Sequence, residues 1–184
     1  MIFSSFALLA NTPKPGYIQR QNGEIIKGYV AYLKIAVPTR VIFYRPDSSS
    51  GTYLKSSKTL FSPNELKSFC YGAYEKWVAV HFTKAEIGFK ASYFLQVLDS
   101  AQGFYLLGGL VTGEGCNCSG TKFSSSYYYV LSNMVRHQKL IIAKKKRSKI
   151  TYPANVAQFY QKFDLEFSRK LFVKPKDVLL PLKQ

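Results

Sequence analysis

The chain has 184 residues, of which 47% are apolar and 16% aromatic. This length suffices for one domain with a sizeable core, and the composition excludes an intrinsically disordered chain. The 26 Lys and Arg residues against 10 Asp and Glu give a formal net charge of +16, which favours an anionic partner such as an acidic glycan, a lipid head group or nucleic acid. Charge does not choose among these partners, and a high positive charge also serves solubility.

The first sixteen residues differ in character from the rest. Residues 1–10 form an apolar run, and the polar, Pro-containing spacer 11–16 follows. This pattern is typical of the back half of a secretory signal peptide, although no Lys or Arg precedes it and Leu8 departs from a small-x-small cleavage pattern. Residues 1–16 are therefore either a signal-peptide remnant, with the true start upstream of Met1, or an N-terminal arm that docks on the core. No later run reaches the ~18 apolar residues that a transmembrane helix needs.

Residues 17–30 carry the clearest hairpin signal. An Asn-Gly pair at 22–23 separates two β-favouring runs, and glycine can adopt the positive φ that closes a tight hairpin. A three-residue loop with Gly23 left-handed sets Ile18 opposite Ile26, whereas a two-residue loop would mismatch the faces of the two strands. We therefore predict the three-residue loop.

Further β-favouring runs predict strands near 40–44, 68–71, 77–82, 93–98, 104–111, 127–131 and 139–143. Between two of these runs, the glycine-rich segment 113–120 is predicted to be a flexible loop. Ahead of residue 68, Ser62 can cap, Pro63 suits the first helical position and Glu65 completes a capping box. This motif predicts one helical turn.

Only near the C-terminus does the spacing of apolar residues change from every second residue, typical of a strand, to a period of 3.6 residues, typical of a helix. Apolar residues fall on one helical face there, and Pro153 marks the entry: Val156, Phe159, Tyr160, Phe163, Phe167. We predict an amphipathic helix at about 153–171. The fold class is then mainly β (α+β), a curved antiparallel sheet or partly open barrel with this helix packed on it, and residues 17–184 form a single β-rich domain.

The densest charge cluster supplies the candidate polyanion-binding residues, which are Lys144, Lys145, Lys146, Arg147 and Lys149. Cations that displace condensed counterions give affinity for a polyanion without reading its sequence, and nearby tyrosines could stack on exposed bases. The alternative interpretation is a solvated loop between a strand and the final helix.

The cysteines and histidines do not form a recognisable site. The chain has an odd number of cysteines, Cys70, Cys116 and Cys118, and it is long enough to fold without disulfide bonds. The cysteines therefore imply no disulfide framework. Cys116-x-Cys118 would supply two of the four ligands of a structural zinc site, with no His pair nearby. His81 shares a strand face with Trp77 and Ala79 and is predicted to be a packed or surface histidine, and His137 is the other imidazole of the chain. No nucleophile elbow or His-Glu-x-x-His helix is present. The sequence thus indicates no catalytic residue, no cofactor and no metal.

Several short motifs occur in a fixed order along the chain. The first motifs are Gly16-Tyr17-Ile18, Asn22-Gly23-Glu24 and Ile26-Lys27-Gly28. Three further segments follow them, at residues 61–69, 94–98 and 104–106. This order resembles uncharacterised exported proteins of Bacteroidetes bacteria over about residues 16–131, while the cysteine segment and the basic tail depart from the pattern. The resemblance implies a secreted or envelope-associated β-rich domain, and it brings no catalytic residues.

Two functions of different classes follow. The first is a non-enzymatic binding or scaffold protein, exported to the periplasm, the envelope or the medium, whose cationic surface meets acidic glycans or lipid head groups. The second is a cytoplasmic nucleic-acid-binding protein that uses the 144–149 cluster. An enzyme would need an acid, a base or a nucleophile that the sequence does not reveal.

Overall fold

The computed structural model describes residues 11–32, 38–87, 90–117, 120–144 and 153–183. These residues form two compact units. Unit 1 contains the described residues up to Phe82 together with Lys90–Phe94, and unit 2 contains Thr83–Ile87 and the described residues from Leu95 onward. Each unit is built on antiparallel strands.

Unit 1 has six strands that follow one another in the order β6-β5-β1-β2-β3-β4. Their bounds are β1 Lys14–Arg20, β2 Ile25–Tyr32, β3 Val41–Tyr44, β4 Thr59–Phe61, β5 Leu66–Tyr71 and β6 Glu75–Phe82. The pairing of β1 with β5 brings together parts of the chain that are far apart in sequence, with Gly16 opposite Tyr71. The predicted strands of this region are confirmed.

The β1–β2 hairpin has the predicted loop and register. Ile18 lies opposite Ile26, the Arg20 N–H donates to the Glu24 carbonyl at 2.9 Å, and the Gly23 N–H donates to the Arg20 carbonyl at 3.0 Å. Gly23 has φ of +92°, which a side chain would oppose. The three-residue loop is therefore confirmed.

The turn ahead of β5 is the single helical turn that was predicted, and it keeps the Glu65 half of the capping box. The Glu65 carboxylate accepts hydrogen bonds from the N–H and the hydroxyl of Ser62, at 2.8 and 2.7 Å. The Leu66 N–H donates to the Ser62 carbonyl at 3.2 Å, and β5 begins at that same residue. Because Leu66 already lies opposite Arg20 of β1, strand pairing ends the helical path after one turn.

The core of unit 1 is built from one face of its strands. Ile18, Val30 and Phe69 are fully buried there. Aromatic rings dominate this core, and Phe69 stacks on Trp77 at 5.9 Å between ring centroids and meets Phe94 edge-on at 5.0 Å. Aromatic pairs of this kind stabilise a core beyond the area that they bury.

Unit 2 combines four strands with a helical C-terminal segment. The strand order is β10-β9-β8-β7, with β7 Ala91–Ala101 beginning in unit 1, β8 Phe104–Asn117, β9 Gly120–Asn133 and β10 Gln138–Lys144. The helices are α1 Lys84–Ile87, α2 Pro153–Gln161 and the 3₁₀ helices Arg169–Leu171 and Pro175–Leu182. Described pairings are antiparallel, and the strand order closes no barrel, so the prediction of a mainly β fold with a C-terminal helix is confirmed.

The predicted loop at 113–120 is wrong for residues 113–117 and 120, while residues 118–119 lie outside the described ranges. The backbones of β8 and β9 pair without interruption from Phe104 opposite Asn133 to Asn117 opposite Gly120. An antiparallel ladder is formed by backbone groups, so a glycine-rich segment continues it once the preceding residues are in register. The glycines that suggested a loop are therefore part of two fourteen-residue strands.

Helix α2 ends ten residues before the predicted boundary, at Gln161 rather than 171. The Leu165 N–H donates to the Tyr160 carbonyl at 3.2 Å, and the Asp164 N–H donates to the Gln161 carbonyl at 3.1 Å. These two bonds form a Schellman motif, with Asp164 at φ of +60° in the position that glycine usually occupies. The predicted start at Pro153 is confirmed.

The core of unit 2 lies between the strands and the C-terminal segment. Val156, Tyr160 and Phe172 are fully buried against residues of β8, β9 and β10. The Tyr160 hydroxyl donates to the Val178 carbonyl at 2.5 Å, which ties α2 to the last 3₁₀ helix. No helix of the described residues is long and apolar enough to cross a bilayer.

Candidate functional site

The structure describes only the first residue of the predicted polyanion-binding cluster. Lys144 is the last residue of β10, and its backbone lies opposite Tyr128 of β9. Lys145, Lys146, Arg147 and Lys149 lie outside the described residues. Their role in binding a polyanion stays a prediction.

His81, His137 and Cys70 lie on different elements of the structure. His81 is an exposed residue of β6 whose Nδ1 lies 2.8 Å from the Ser92 hydroxyl, and His137 is exposed in the β9–β10 turn. The exposed position of His81 agrees with the prediction of a packed or surface histidine. Cys70 is buried in β5, and burial raises the pKa of its thiol, which disfavours the nucleophilic thiolate. No group of His, Cys, Asp or Glu residues within the described ranges could hold a metal ion.

An open cleft of about 370 Å³ lies in unit 2, where the C-terminal segment meets the strands. Its floor comes from β7, β8 and β9, and one wall is the start of the last 3₁₀ helix. The lining residues are Leu98, Asp99, Leu106, Tyr129, Lys174, Pro175 and Lys176. The cleft thus joins an apolar and aromatic floor to a cationic wall.

The floor of the cleft depends on a glycine and a strand irregularity. Leu98 lies at a register shift in β7, since Val97 pairs with Leu107 and Asp99 pairs with Leu106. A Cβ atom on Gly108 would lie 2.6 Å from both the Leu98 Cδ1 atom and the Tyr127 hydroxyl. The missing side chain therefore gives these two groups room above β8.

Tyr129 of the cleft floor contacts a second tyrosine of β9, Tyr127. The rings of Tyr127 and Tyr129 are 4.9 Å apart between centroids. Burial raises the pKa of Tyr127, and the nearby Tyr129 raises it further, so its phenol stays neutral at physiological pH. The pair offers ring surface and a neutral hydroxyl next to the cleft.

The lysines of the cationic wall, Lys174 and Lys176, are held in place by the first turn of the last 3₁₀ helix. Lys174 precedes the 3₁₀ helix, and the Asp177 carboxylate accepts a hydrogen bond from the Lys174 N–H at 2.7 Å. Pro175 and Val178 are buried, which fixes this turn against the core. Lys174 and Lys176 are both exposed, and neither makes an ion pair with a described residue.

The one carboxylate of the cleft lining is already paired. Lys183 Nζ lies 2.7 and 2.6 Å from the two carboxylate oxygens of Asp99. This contact neutralises Asp99, so the remaining charge at the cleft comes from Lys174 and Lys176. The arrangement suits an anionic group that is attached to an apolar or ring-shaped part.

Unit 1 has a smaller crevice of about 170 Å³. Arg40, Leu60, Phe61, Ser62 and Glu65 line it. Hydrogen bonds from the Ser62 side chain and backbone lower the pKa of Glu65, and the charge of Arg40 adds to this effect. Its polar groups thus serve the turn ahead of β5, and we place the candidate site in unit 2.

The cleft was not predicted from the sequence. A signal was nevertheless present in Lys174-Pro175-Lys176-Asp177. Proline at the first helical position and Asp at the third are typical of a helix start. The two lysines on either side of that proline would then project from a fixed turn.

Comparison of the chain with protein-family models, with curated proteins and with solved structures finds no match. The resemblance to exported Bacteroidetes proteins therefore stays a prediction.

Proposed function

We propose that this is a non-enzymatic, exported or envelope-associated binding protein whose ligand carries an anionic group, a carboxylate or a phosphate, that lies in the unit 2 cleft. The observation that carries the proposal is the pair of exposed lysines, Lys174 and Lys176, held beside the apolar floor of Leu98, Leu106 and Tyr129. Acidic glycans and lipid head groups share this chemistry.

The lysines supply the attraction, and the floor supplies the orientation. An exposed ion pair contributes roughly 0.2 to 1 kcal/mol, so two lysines give about 0.4 to 2 kcal/mol at low salt. The tyrosine ring and the two leucines can cover the less polar face of a ring or a glycerol unit. The expected affinity is modest and sensitive to ionic strength.

The lining favours binding over catalysis. Both carboxylate oxygens of Asp99 are held by Lys183. The phenol of the adjoining Tyr127 has a raised pKa, so it stays protonated and is not poised as a general base at neutral pH. Among the lining residues there is no Ser, Cys or His to act as a nucleophile or proton carrier.

The proposal is tested by calorimetric titration of the whole protein at low salt. The probes are a uronic-acid trisaccharide and glycerophosphoglycerol, the head group of phosphatidylglycerol without its acyl chains. We expect Lys174→Ala/Lys176→Ala to weaken binding of the preferred probe by roughly 2- to 30-fold.

A charge-matched control separates the cleft from overall charge. Lys55→Ala/Lys58→Ala removes two exposed cations from unit 1 and should change the dissociation constant less than about twofold. Equal losses in both double variants, or no binding of either probe, would refute the cleft as the anion site.

The location is tested by fractionation of the native host with mass spectrometry of the N-terminus. Processing near Ala10 and recovery outside the cytoplasm would support export. Recovery from the cytoplasm with Met1 intact would contradict it, and salt-dependent RNA and DNA titrations of the 144–149 cluster would then come first.

A further inference from the structure

The C-terminal segment Arg169–Lys183 exposes large apolar side chains among cations. Leu171, Val173 and Leu180 are 52%, 50% and 54% exposed. The cations of the segment are Arg169, Lys170, Lys174, Lys176 and Lys183, and its single acid, Asp177, accepts a hydrogen bond from the Lys174 N–H. Exposed aliphatic groups and an excess of positive charge therefore occur together.

These exposed groups are not needed for the core of unit 2. Phe172, between Leu171 and Val173, is fully buried, as are Val178 and Leu179. The buried set holds the segment against the strands, while the alternate positions face away from it. Removing the exposed side chains should therefore leave the fold intact.

Leu180 lies on the side of its helix that leads to the cleft. In a 3₁₀ helix, residues three apart lie on the same side, which places Leu180 in line with Lys183 just past the helix end. Lys183 contacts Asp99 of the cleft lining. At the floor, Leu98 adds another side chain that is 42% exposed.

We propose that this segment docks on the surface of a bilayer that contains anionic lipids. Lys174 and Lys176 pair with head-group phosphates, and Leu171, Val173 and Leu180 enter the boundary between head groups and acyl chains. This inference rests on the proposed function, since it takes the lipid head group as the anion at the cleft.

The exposed aliphatic groups favour a lipid over the other anions. A polysaccharide or a nucleic acid offers negative charge but no aliphatic phase in which leucine and valine side chains can be buried. Apolar groups beside Lys and Arg are typical of segments that lie in the membrane interface. Each cation near an anionic surface contributes about fivefold to the affinity, so binding should fall with rising salt.

The test uses the full chain and vesicles of phosphatidylcholine with or without phosphatidylglycerol, which supplies the anionic surface that attracts basic segments. Flotation should recover the protein with the anionic vesicles and not with the neutral ones. Leu171→Ser/Val173→Ser/Leu180→Ser should weaken vesicle binding by about tenfold or more, since each lost aliphatic group removes interfacial burial. The same variant should bind glycerophosphoglycerol like the wild type.

A matched control carries three serine substitutions at exposed apolar residues elsewhere, at Leu54, Leu60 and Val135. It should bind anionic vesicles as the wild type does. Equal losses in the two triple variants would overturn the docking segment.

The remaining outcomes separate the two proposals. Binding of glycerophosphoglycerol without vesicle flotation would overturn membrane docking and leave the anion site standing. Preference for the uronic-acid trisaccharide would overturn the lipid in favour of a glycan. Failure to bind vesicles and both soluble probes would overturn both proposals.

Discussion

The two units reach the same kind of sheet by different means. In unit 1, short local signals such as the Gly23 hairpin and the Ser62 turn set where strands begin and end. In unit 2, the course of the C-terminal helical segment depends on packing, as in the Tyr160 contact with Val178. Local signals therefore mark where strands begin and end in one unit, while tertiary contacts decide the helical part of the other.

The largest expected loss of stability comes from a substitution in the core of unit 2. Tyr160→Ala should destabilise it by about 3 to 5 kcal/mol, because it empties a fully buried site that Phe104, Phe167 and Phe172 surround. Tyr160→Phe keeps the ring and loses only the hydroxyl contact to Val178, at about 1 to 2 kcal/mol. Urea unfolding followed by hydrogen exchange measures both changes. Equal losses of amide protection throughout the two units would contradict the contrast drawn between them.

Adding a single methyl group to unit 1 should lower the stability of the protein nearly as much as Tyr160→Ala. Gly16→Ala would place a Cβ atom 2.1 Å from the Cys70 carbonyl oxygen, across the pairing of β1 with β5. Because the obstructing atom is backbone, relief requires a shift of a strand, and we expect a loss of about 3 kcal/mol. Thermal unfolding tests this, and an unchanged midpoint would show that the two strands are less closely packed than described.

The hairpin loop isolates backbone conformation from crowding. At Gly23 a Cβ atom would meet nothing within 4 Å, but φ is +92°. Gly23→Ala should therefore lower stability by about 1 kcal/mol, and Gly23→Asn by less, since Asn tolerates positive φ. Chemical denaturation compares the two variants. If Asn and Ala had the same effect, strain at φ would not explain the preference for glycine.

The smallest predicted effect has a pH signature in unit 2. Burial tends to raise the pKa of Glu86, but hydrogen bonds from Lys139 and Thr83 outweigh it, and the net pKa is lowered. The ionised carboxylate therefore adds stability above the unfolded pKa of about 4.3, and this stability disappears as pH falls through the lower folded pKa. Glu86→Gln should lose roughly 0.5 to 1 kcal/mol at pH 7 and little at about pH 3.

The control for this prediction is Glu166→Gln, which changes an exposed carboxylate of the same unit. Its stability should stay within about 0.5 kcal/mol of the wild type at pH 7. A difference between Glu86→Gln and the wild type that persisted at low pH would refute the role of the charged pair.

The sequence predicted best where geometry is local. The Asn-Gly pair and strand alternation are enough to fix the register of Ile18 against Ile26, because one loop length satisfies both. The helix end was mispredicted because Asp164 takes a conformation usually left to glycine, which no composition rule indicates. The cleft was missed since the exposure of Lys174 and Lys176 depends on which neighbours the chain buries.

The uninterrupted pairing of β8 with β9 also bears on the time course of folding. At its far end Asn117 lies opposite Gly120, so the ladder can start between residues that are close in the chain and zip toward Phe104 and Asn133, with hairpins of this kind forming in about 1 to 10 μs. The pairing of Gly16 with Tyr71 must first close a much longer loop. Folding of unit 1 should therefore be the slower event, because its sheet waits for a rare encounter between distant strands.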